Sequence, residues 1–411
     1  AMLSWPDAYM PPALAGINHP TLQLFDSYKG KKVDILGEQS SIYICGITPY
    51  DATHMGHAAT YLTFDLVNRY LKASGKNVSF VENITDIDDP LLERATRDNQ
   101  DWRELAESQI ELFREDMTSL GVLPPNAYRG VIESMDEIIS TVAEMIATGK
   151  SYQLEGDIYL DLNQVDGAIE NLPIALEQAL KIFEERGGDP ARAGKRHALD
   201  PLLWKARKGD DPFWEAPFGQ GRPGWHIECT AIALKNLPKA SSTSITLQAG
   251  GSDLIFPHHY MTALQAKALN GIEFASCYSH SGMIGLDGEK MSKSKGNLVF
   301  VSKLRQEGVS PALIRIALFA NRYSTDRMWS RELVDEANKL LTRLLSALSR
   351  QEVAPTFEVV QEIVNAISDD LNTPKVFDLL NTWSLKTEEG QVGGSPGEIS
   401  RALDTYLGIT L

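Results

Sequence analysis

Residues 41–57 read Ser-Ile-Tyr-Ile-Cys-Gly-Ile-Thr-Pro-Tyr-Asp-Ala-Thr-His-Met-Gly-His. The apolar run from Ser41 to Cys45 has the length of a buried strand and stops at Gly46 and Pro49, residues that break regular structure. From about Ala58 the apolar positions recur at helical spacing. Leu62, Leu66, Val67, Tyr70 and Leu71 share one face, and Gly75 stands where such a helix would end. Val78 to Val81 reads as the next strand. Strand, loop, helix, strand is a βαβ unit, which implies a parallel sheet covered by helices. In such sheets ligands gather at the carboxyl ends of the strands.

Working outward, residues 101–120 and 131–147 have a helical period, with Pro124 and Pro125 between them. Asp157 to Asp161 alternates like a strand, and residues 185–195 form a Gly- and Arg-rich stretch unlike the regular segments on either side. This region reads as an insertion. Ile245 to Gly251 restores the strand-then-glycine pattern, followed by a helix from about Pro257 to Leu269 and a strand from Ser276 to Ile284. Beyond Val301 helical periodicity takes over. The expected division is an N-terminal extension over 1–40, a Rossmann-like α/β domain over 41–124 and 201–300, an inserted connective segment over 125–200, and a C-terminal helical domain over 301–411.

The chain has 411 residues, of which 43% are hydrophobic and 23% charged, so it can bury a large core without disulfides. No apolar stretch is long enough to span a bilayer, which argues against a membrane role. No Lys or Arg falls within residues 1–16, so no targeting peptide is read there and the cytoplasm is expected. The net charge of −16 disfavours a general nucleic-acid binder. Three cysteines, Cys45, Cys229 and Cys277, are an odd and scattered set, consistent with reduced thiols. Cys277 reads as a small buried strand residue and receives no role.

Three constellations carry chemistry. His54 and His57 flank Gly56 at a helix N-terminus, where imidazoles, free N–H groups and the helix dipole favour phosphate, although local hydrogen bonding alone would also explain them. Residues 287–297, Asp-Gly-Glu-Lys-Met-Ser-Lys-Ser-Lys-Gly-Asn, open on a hairpin turn signal and continue with three lysines able to neutralise a leaving pyrophosphate; a solvated basic loop is the simpler alternative. Two thiolates and an imidazole, from Cys45, Cys229 and the His258-His259 pair, would suit zinc and leave a fourth position for a substrate thiolate, at a Zn–S distance of about 2.3 Å. No close spacing forces these three together, and unrelated buried residues would give the same sequence. Gly219-Gln-Gly-Arg-Pro-Gly224 fits a dinucleotide fingerprint in letters only, because it follows Pro217 instead of a strand and contains Pro223; it reads as a tight loop delivering Trp225 and Cys229.

His54-Met-Gly-His57 together with Lys290-Met-Ser-Lys-Ser294 resembles the paired signature of class I aminoacyl-tRNA synthetases. Cys45-Gly-Ile-Thr-Pro-Tyr-Asp51, Asn83-Ile-Thr-Asp-Ile-Asp-Asp89, Arg222-Pro-Gly-Trp-His-Ile-Glu-Cys229 and Gly250-Gly-Ser-Asp-Leu-Ile-Phe-Pro-His-His259 resemble cysteinyl-tRNA synthetases. Phe183-Glu-Glu-Arg-Gly-Gly-Asp-Pro190 and Ser252-Asp-Leu-Ile-Phe-Pro-His-His259 bring the chain closer to the synthetase-derived cysteine ligases of mycothiol biosynthesis. That resemblance implies a class I synthetase catalytic fold, zinc on Cys45, Cys229 and His258, and catalytic roles for His54, His57, Lys290 and Lys293. It implies a cysteine and adenylate pocket at Cys45, Gly46, Thr48, Tyr50, Thr60, Thr85, Trp225, Gly251, Ser252, Asp253 and Ile284. It further implies ATP as substrate with Mg2+, L-cysteine and glucosaminyl-inositol as the other substrates, and a monomer. One departure stands out, since Tyr260, Met261 and Thr262 follow the two histidines where the synthetase pattern has glutamates.

Residues 331–411 hold seven Lys and Arg against thirteen Asp and Glu, the wrong sign for a tRNA backbone. The small-amine ligase is therefore expected ahead of a cysteinyl-tRNA synthetase. A regulator that only binds cysteine or adenylate would have no chemical need of both signatures.

Overall fold

This computed structural model describes residues 2–411, with the side chain of Lys293 outside that description. Its centre is a five-stranded parallel sheet in the order Ala275–Ser281, Ile245–Gly251, Gln39–Ile44, Asn77–Ile84, Ala127–Gly130. Taken in chain order, the first three strands run outward on one side and the last two on the other. The direction reverses between Gln39–Ile44 and Ile245–Gly251, which pair in parallel register with Ile42 opposite Leu247. This is the switch point of a doubly wound sheet, where the strand ends leave a crevice. Alternation along the first strand sends Ile42 and Ile44 into one core cluster, and Tyr43 and Cys45 into the other.

The helix Met55–Ala73 follows the first strand, and its apolar positions Leu62, Leu66, Val67, Tyr70 and Leu71 are all buried. Trp225–Asn236 and Tyr260–Asn270 cover the opposite face. A second, antiparallel sheet comprises Ser151–Leu154, Asp157–Leu160, Leu202–Ala206 and Gly221–Pro223. Its first hairpin turns at Glu155 and Gly156, both at positive φ (51° and 89°), as a two-residue turn matching the strand twist requires.

Both ends expected for the insertion shift. Residues 127–130 are the edge strand of the parallel sheet, with Glu82 opposite Tyr128, so the Rossmann half runs past 125. At the other end the antiparallel sheet continues through Pro223 instead of stopping at 200. The second half of the G-x-G-x-x-G stretch, Gly221–Pro223, is thus an edge strand leading into a helix, with only Gly219 and Gln220 left in the loop. A Cβ at Gly221 would lie 2.1 Å from the Lys205 carbonyl oxygen and one at Gly224 1.9 Å from that of Leu202, so these glycines serve strand approach.

Helices Pro311–Phe319, Arg331–Leu348, Phe357–Ser368, Thr373–Glu388 and Pro396–Leu407 form the C-terminal region. It is tied to the first half by a buried charge cluster. Asp65 Oδ2 accepts from Arg69 Nε at 2.7 Å and from an Arg315 guanidinium nitrogen at 2.9 Å. Arg315 also donates to the carbonyls of Leu120 and Leu407, and Arg69 to those of Gly121 and Asp404. No helix among the described residues is long and apolar enough to cross a membrane.

Candidate active site

Cys45 is the first residue beyond the Gln39–Ile44 strand, Cys229 lies on the Trp225–Asn236 helix, and His258 comes from the turn before Tyr260–Asn270. The fold brings these distant residues to the switch point, where their donor atoms all lie within 4.8 Å of one another. All three are buried. The two sulfurs are 3.6 Å apart, and His258 Nε2 is 3.2 Å from Cys229 Sγ. Burial and the hydrogen bond it donates to Cys229 push the Cys45 thiol up. Burial acts in the same sense on Cys229, but the Cys45 hydrogen bond and His258 outweigh it and pull Cys229 well down. Two sulfurs and an imidazole nitrogen therefore converge, a donor set that could hold a metal ion.

Neighbours fix the orientation of these donors. The Trp225 indole stacks on His258 at 4.1 Å with 8° between ring planes, and His226 Nδ1 meets His258 Nδ1 at 2.8 Å. His259 points the other way: its Nε2 is 3.1 Å from Cys45 Sγ and its Nδ1 is 2.7 Å from His280 Nε2. Burial pushes His280 down to about 3 and His226 and His259 well below the usual imidazole range, keeping these rings neutral. Sequence reasoning gave no role to His226 or His280 and carried His259 only as the second imidazole of the His258-His259 pair. The doubled histidine and the His within Gly-Trp-His-Ile-Glu-Cys were visible, but which ring reaches which sulfur depends on long-range packing. Cys277 is buried on the Ala275–Ser281 strand, outside this group, as expected.

His54 is the N-cap of the Met55–Ala73 helix. Its Nδ1 accepts from the backbone N–H of Gly56 at 3.0 Å and of His57 at 3.3 Å. This corrects the expectation that those N–H groups are free. His54 must carry its proton on Nε2, which remains its donor. The two rings stack at 3.7 Å, and the buried Nδ1 of the half-buried His57 has no partner among the described residues. Burial pushes His54 down to about 4 and His57 well below the usual imidazole range, so both are neutral donors at pH 7.

The second signature is physically joined to the first. Met55 N–H donates to the Val299 carbonyl and Val301 N–H to that of Thr53, both at 2.9 Å, so the end of the lysine loop zips onto the histidine segment. Asp287 and Gly288 form the expected hairpin turn at positive φ, pairing Leu286 with Glu289. Asn297 closes the loop, accepting from Ser292 N–H at 2.9 Å and donating to the Lys290 carbonyl at 3.1 Å. Lys290 is exposed, and the side chain expected of Lys293 lies outside the described residues.

The other expected pocket residues divide. Gly46 crosses the next strand so closely that a Cβ would fall 1.5 Å from the Asn83 carbonyl oxygen, and its N–H donates to Asn83 Oδ1 at 2.7 Å. Thr48 donates to Asp88, the N-cap of Asp89–Arg97, at 2.8 Å. Thr60 and Ser281 hydroxyls meet at 2.7 Å, and Thr85 N–H donates to the Ile47 carbonyl. At Gly251 a Cβ would lie 2.7 Å from Asp253 Oδ1, and Ser252 opens the short turn that presents Asp253. Ile284 is buried at the start of the hairpin, and Tyr50 packs against the separate apolar cluster around Leu91 and Leu105. Arg186 stands 3.8 Å from Asp253, a contact the sequence did not signal.

A doubly wound sheet with a thiol–imidazole cluster at its switch point and two signature segments zipped together beside it defines a class I synthetase-type domain. Residues 32–339 match the family described as tRNA synthetases class I (C) catalytic domain. Mycobacterium tuberculosis methionyl-tRNA synthetase in complex with methionyl-adenylate has the same fold, with a TM-score of 0.59 at 15% identity, over 90% of this chain and 88% of that one. Full-length relatives, each aligned over 100% of both chains, are the L-cysteine:1D-myo-inositol 2-amino-2-deoxy-alpha-D-glucopyranoside ligases of Gordonia bronchialis, 48% identical, and Streptomyces griseus, 47% identical. The chain belongs to this ligase family.

Proposed function

We propose that the protein is an ATP-dependent, AMP-forming ligase that joins L-cysteine to the amine of glucosaminyl-inositol, a step of mycothiol biosynthesis, inside the cytoplasm. The observation that carries this reading is the buried convergence of Cys45, Cys229 and His258 at the switch point. Two sulfurs and one nitrogen fit zinc, and no acidic side chain joins them among the described residues, Thr262 standing four positions beyond His258. Bound there, zinc would supply an acceptor for the thiolate of cysteine, a preference a hydroxyl could not satisfy equally.

The remaining groups bind and orient. Asp253, one-third exposed, would receive the cysteine ammonium, and Trp225, stacked on His258, would close the pocket. The cysteine carboxylate attacks the α-phosphorus of ATP, forming cysteinyl-AMP and releasing pyrophosphate. His54 through Nε2–H and His57 stabilise charge on the α-phosphate, while Lys290 and Lys293 accompany the pyrophosphate, with Mg2+ on ATP. The sugar amine then attacks the activated carbonyl, forming the amide and releasing AMP. No covalent enzyme nucleophile takes part. The deciding assay supplies ATP and cysteine with either glucosaminyl-inositol or tRNA(Cys) as acceptor. Amide formed with the sugar alone is expected, and charging of the tRNA instead would overturn the assignment.

A further inference from the structure

The mechanism above leaves unused a line of polar side chains running from Cys45 through two buried imidazoles to the half-buried Ser27. His259 Nε2 lies 3.1 Å from Cys45 Sγ, His259 Nδ1 lies 2.7 Å from His280 Nε2, and His280 Nδ1 lies 2.7 Å from Ser27 Oγ. Both imidazoles are buried. Ser27 belongs to the turn after the Gln23–Asp26 strand, and its N–H is bound to the Tyr278 carbonyl at 2.9 Å, which holds the hydroxyl in place. Gly250 makes room for the line, since a Cβ there would fall 2.6 Å from His259 Cε1.

Each neutral imidazole has one N–H and one lone pair, so a line of this kind has a polarity that must agree at every link. A thiolate is an acceptor only. If Cys45 is a metal-bound thiolate, His259 carries its proton on Nε2, its Nδ1 accepts from His280 Nε2–H, and His280 Nδ1 accepts from the Ser27 hydroxyl. The opposite polarity would give His259 Nε2 a lone pair, free to act as a ligand. That alternative is disfavoured because His259 is not part of the group whose donor atoms lie within 4.8 Å of one another. His258 has the reverse assignment: with its Nε2 lone pair facing the site, its Nδ1–H donates to His226 Nδ1. Adjacent histidines are thus held in opposite tautomers.

We propose that Ser27 and His280 are positioning residues of the metal site, fixing His259 as the Nε2–H tautomer so that it donates a hydrogen bond to the Cys45 sulfur. The proposal rests on the zinc reading above. Outer partners of this kind set ligand orientation, and their removal typically costs about 10- to 100-fold in metal affinity.

The test uses the intact zinc-loaded protein with 15N-labelled histidine. The imidazole nitrogen shifts are expected to show Nε2–H on His259 and His280 and Nδ1–H on His258; Nδ1–H on His259 would overturn the proposal without any variant. Zinc affinity of Ser27→Ala, measured by chelator competition, is expected to fall about tenfold or more, with Ser27→Thr restoring it. In the cobalt-substituted protein the sulfur-to-cobalt charge-transfer band is expected to move in Ser27→Ala. An unchanged affinity and band in a folded Ser27→Ala would also overturn the proposal. Wild-type protein that takes up no zinc would fail the functional reading itself, and this inference with it, whereas normal uptake with the wrong tautomer defeats this inference alone.

Discussion

Cys45, Cys229 and His258 are buried and held by further buried rings, whereas Glu289, Lys290 and Lys295 stand exposed on a loop closed by one asparagine. In the proposed function the two regions face different demands. A site that selects a side chain must exist before the substrate arrives, so its ordering cost is met by the fold, through burial and hydrogen bonds to every donor. A clamp for a departing pyrophosphate needs its geometry only while charge develops, and long exposed lysines retain the freedom to close and release. The backbone zipper between Thr53–Met55 and Val299–Val301 keeps that exposed loop anchored at one end beside the histidines.

The contrast breaks if damage to one region spreads to the other. The largest effect is expected from Cys229→Ser, which should abolish zinc retention and cysteine binding together while ATP binding persists; metal analysis and cysteine titration read both, and retained zinc would refute the ligand assignment. Next, His57→Ala or Lys293→Ala should slow cysteine-dependent pyrophosphate exchange about 10²- to 10³-fold with zinc content unchanged, and a matching loss of cysteine binding would erase the distinction. The smallest effect concerns pH. Burial pushes Asp86 and Asp88 up to about 6, so the native state holds more protons than the unfolded chain between about pH 4 and 6, and stability should fall as pH rises through that interval. Urea midpoints across the interval check this, and Asp86→Asn should flatten the trend.

What the sequence made legible was local. The strand Ile245–Gly251, the Asp287-Gly288 hairpin and the buried face of the Met55–Ala73 helix follow from alternation, turn chemistry and period. The limits of the insertion were not legible, because Ala127–Gly130 and Leu202–Ala206 are short strands assigned only by distant partners. The candidate ligands were read from residue type, and resemblance alone chose His258 over His259 and joined the set, since Cys45 and Cys229 share no spacing rule. The capping role of His54 and the relay through Ser27, His280 and His259 stayed hidden for the same reason: a ring nitrogen's partner is a matter of tertiary approach.

The cluster of Asp65, Arg69 and Arg315 gives the far end of the molecule a say in its chemistry. Asp65 sits on the helix that His54 caps, and the guanidiniums it holds are satisfied by carbonyls of Asp404 and Leu407. Stripping a partner from such a buried pair costs about 3–5 kcal/mol. Trimming or fusing the tail near Leu407 is therefore not a remote edit; it pulls on a lever whose short arm ends at the His54 cap.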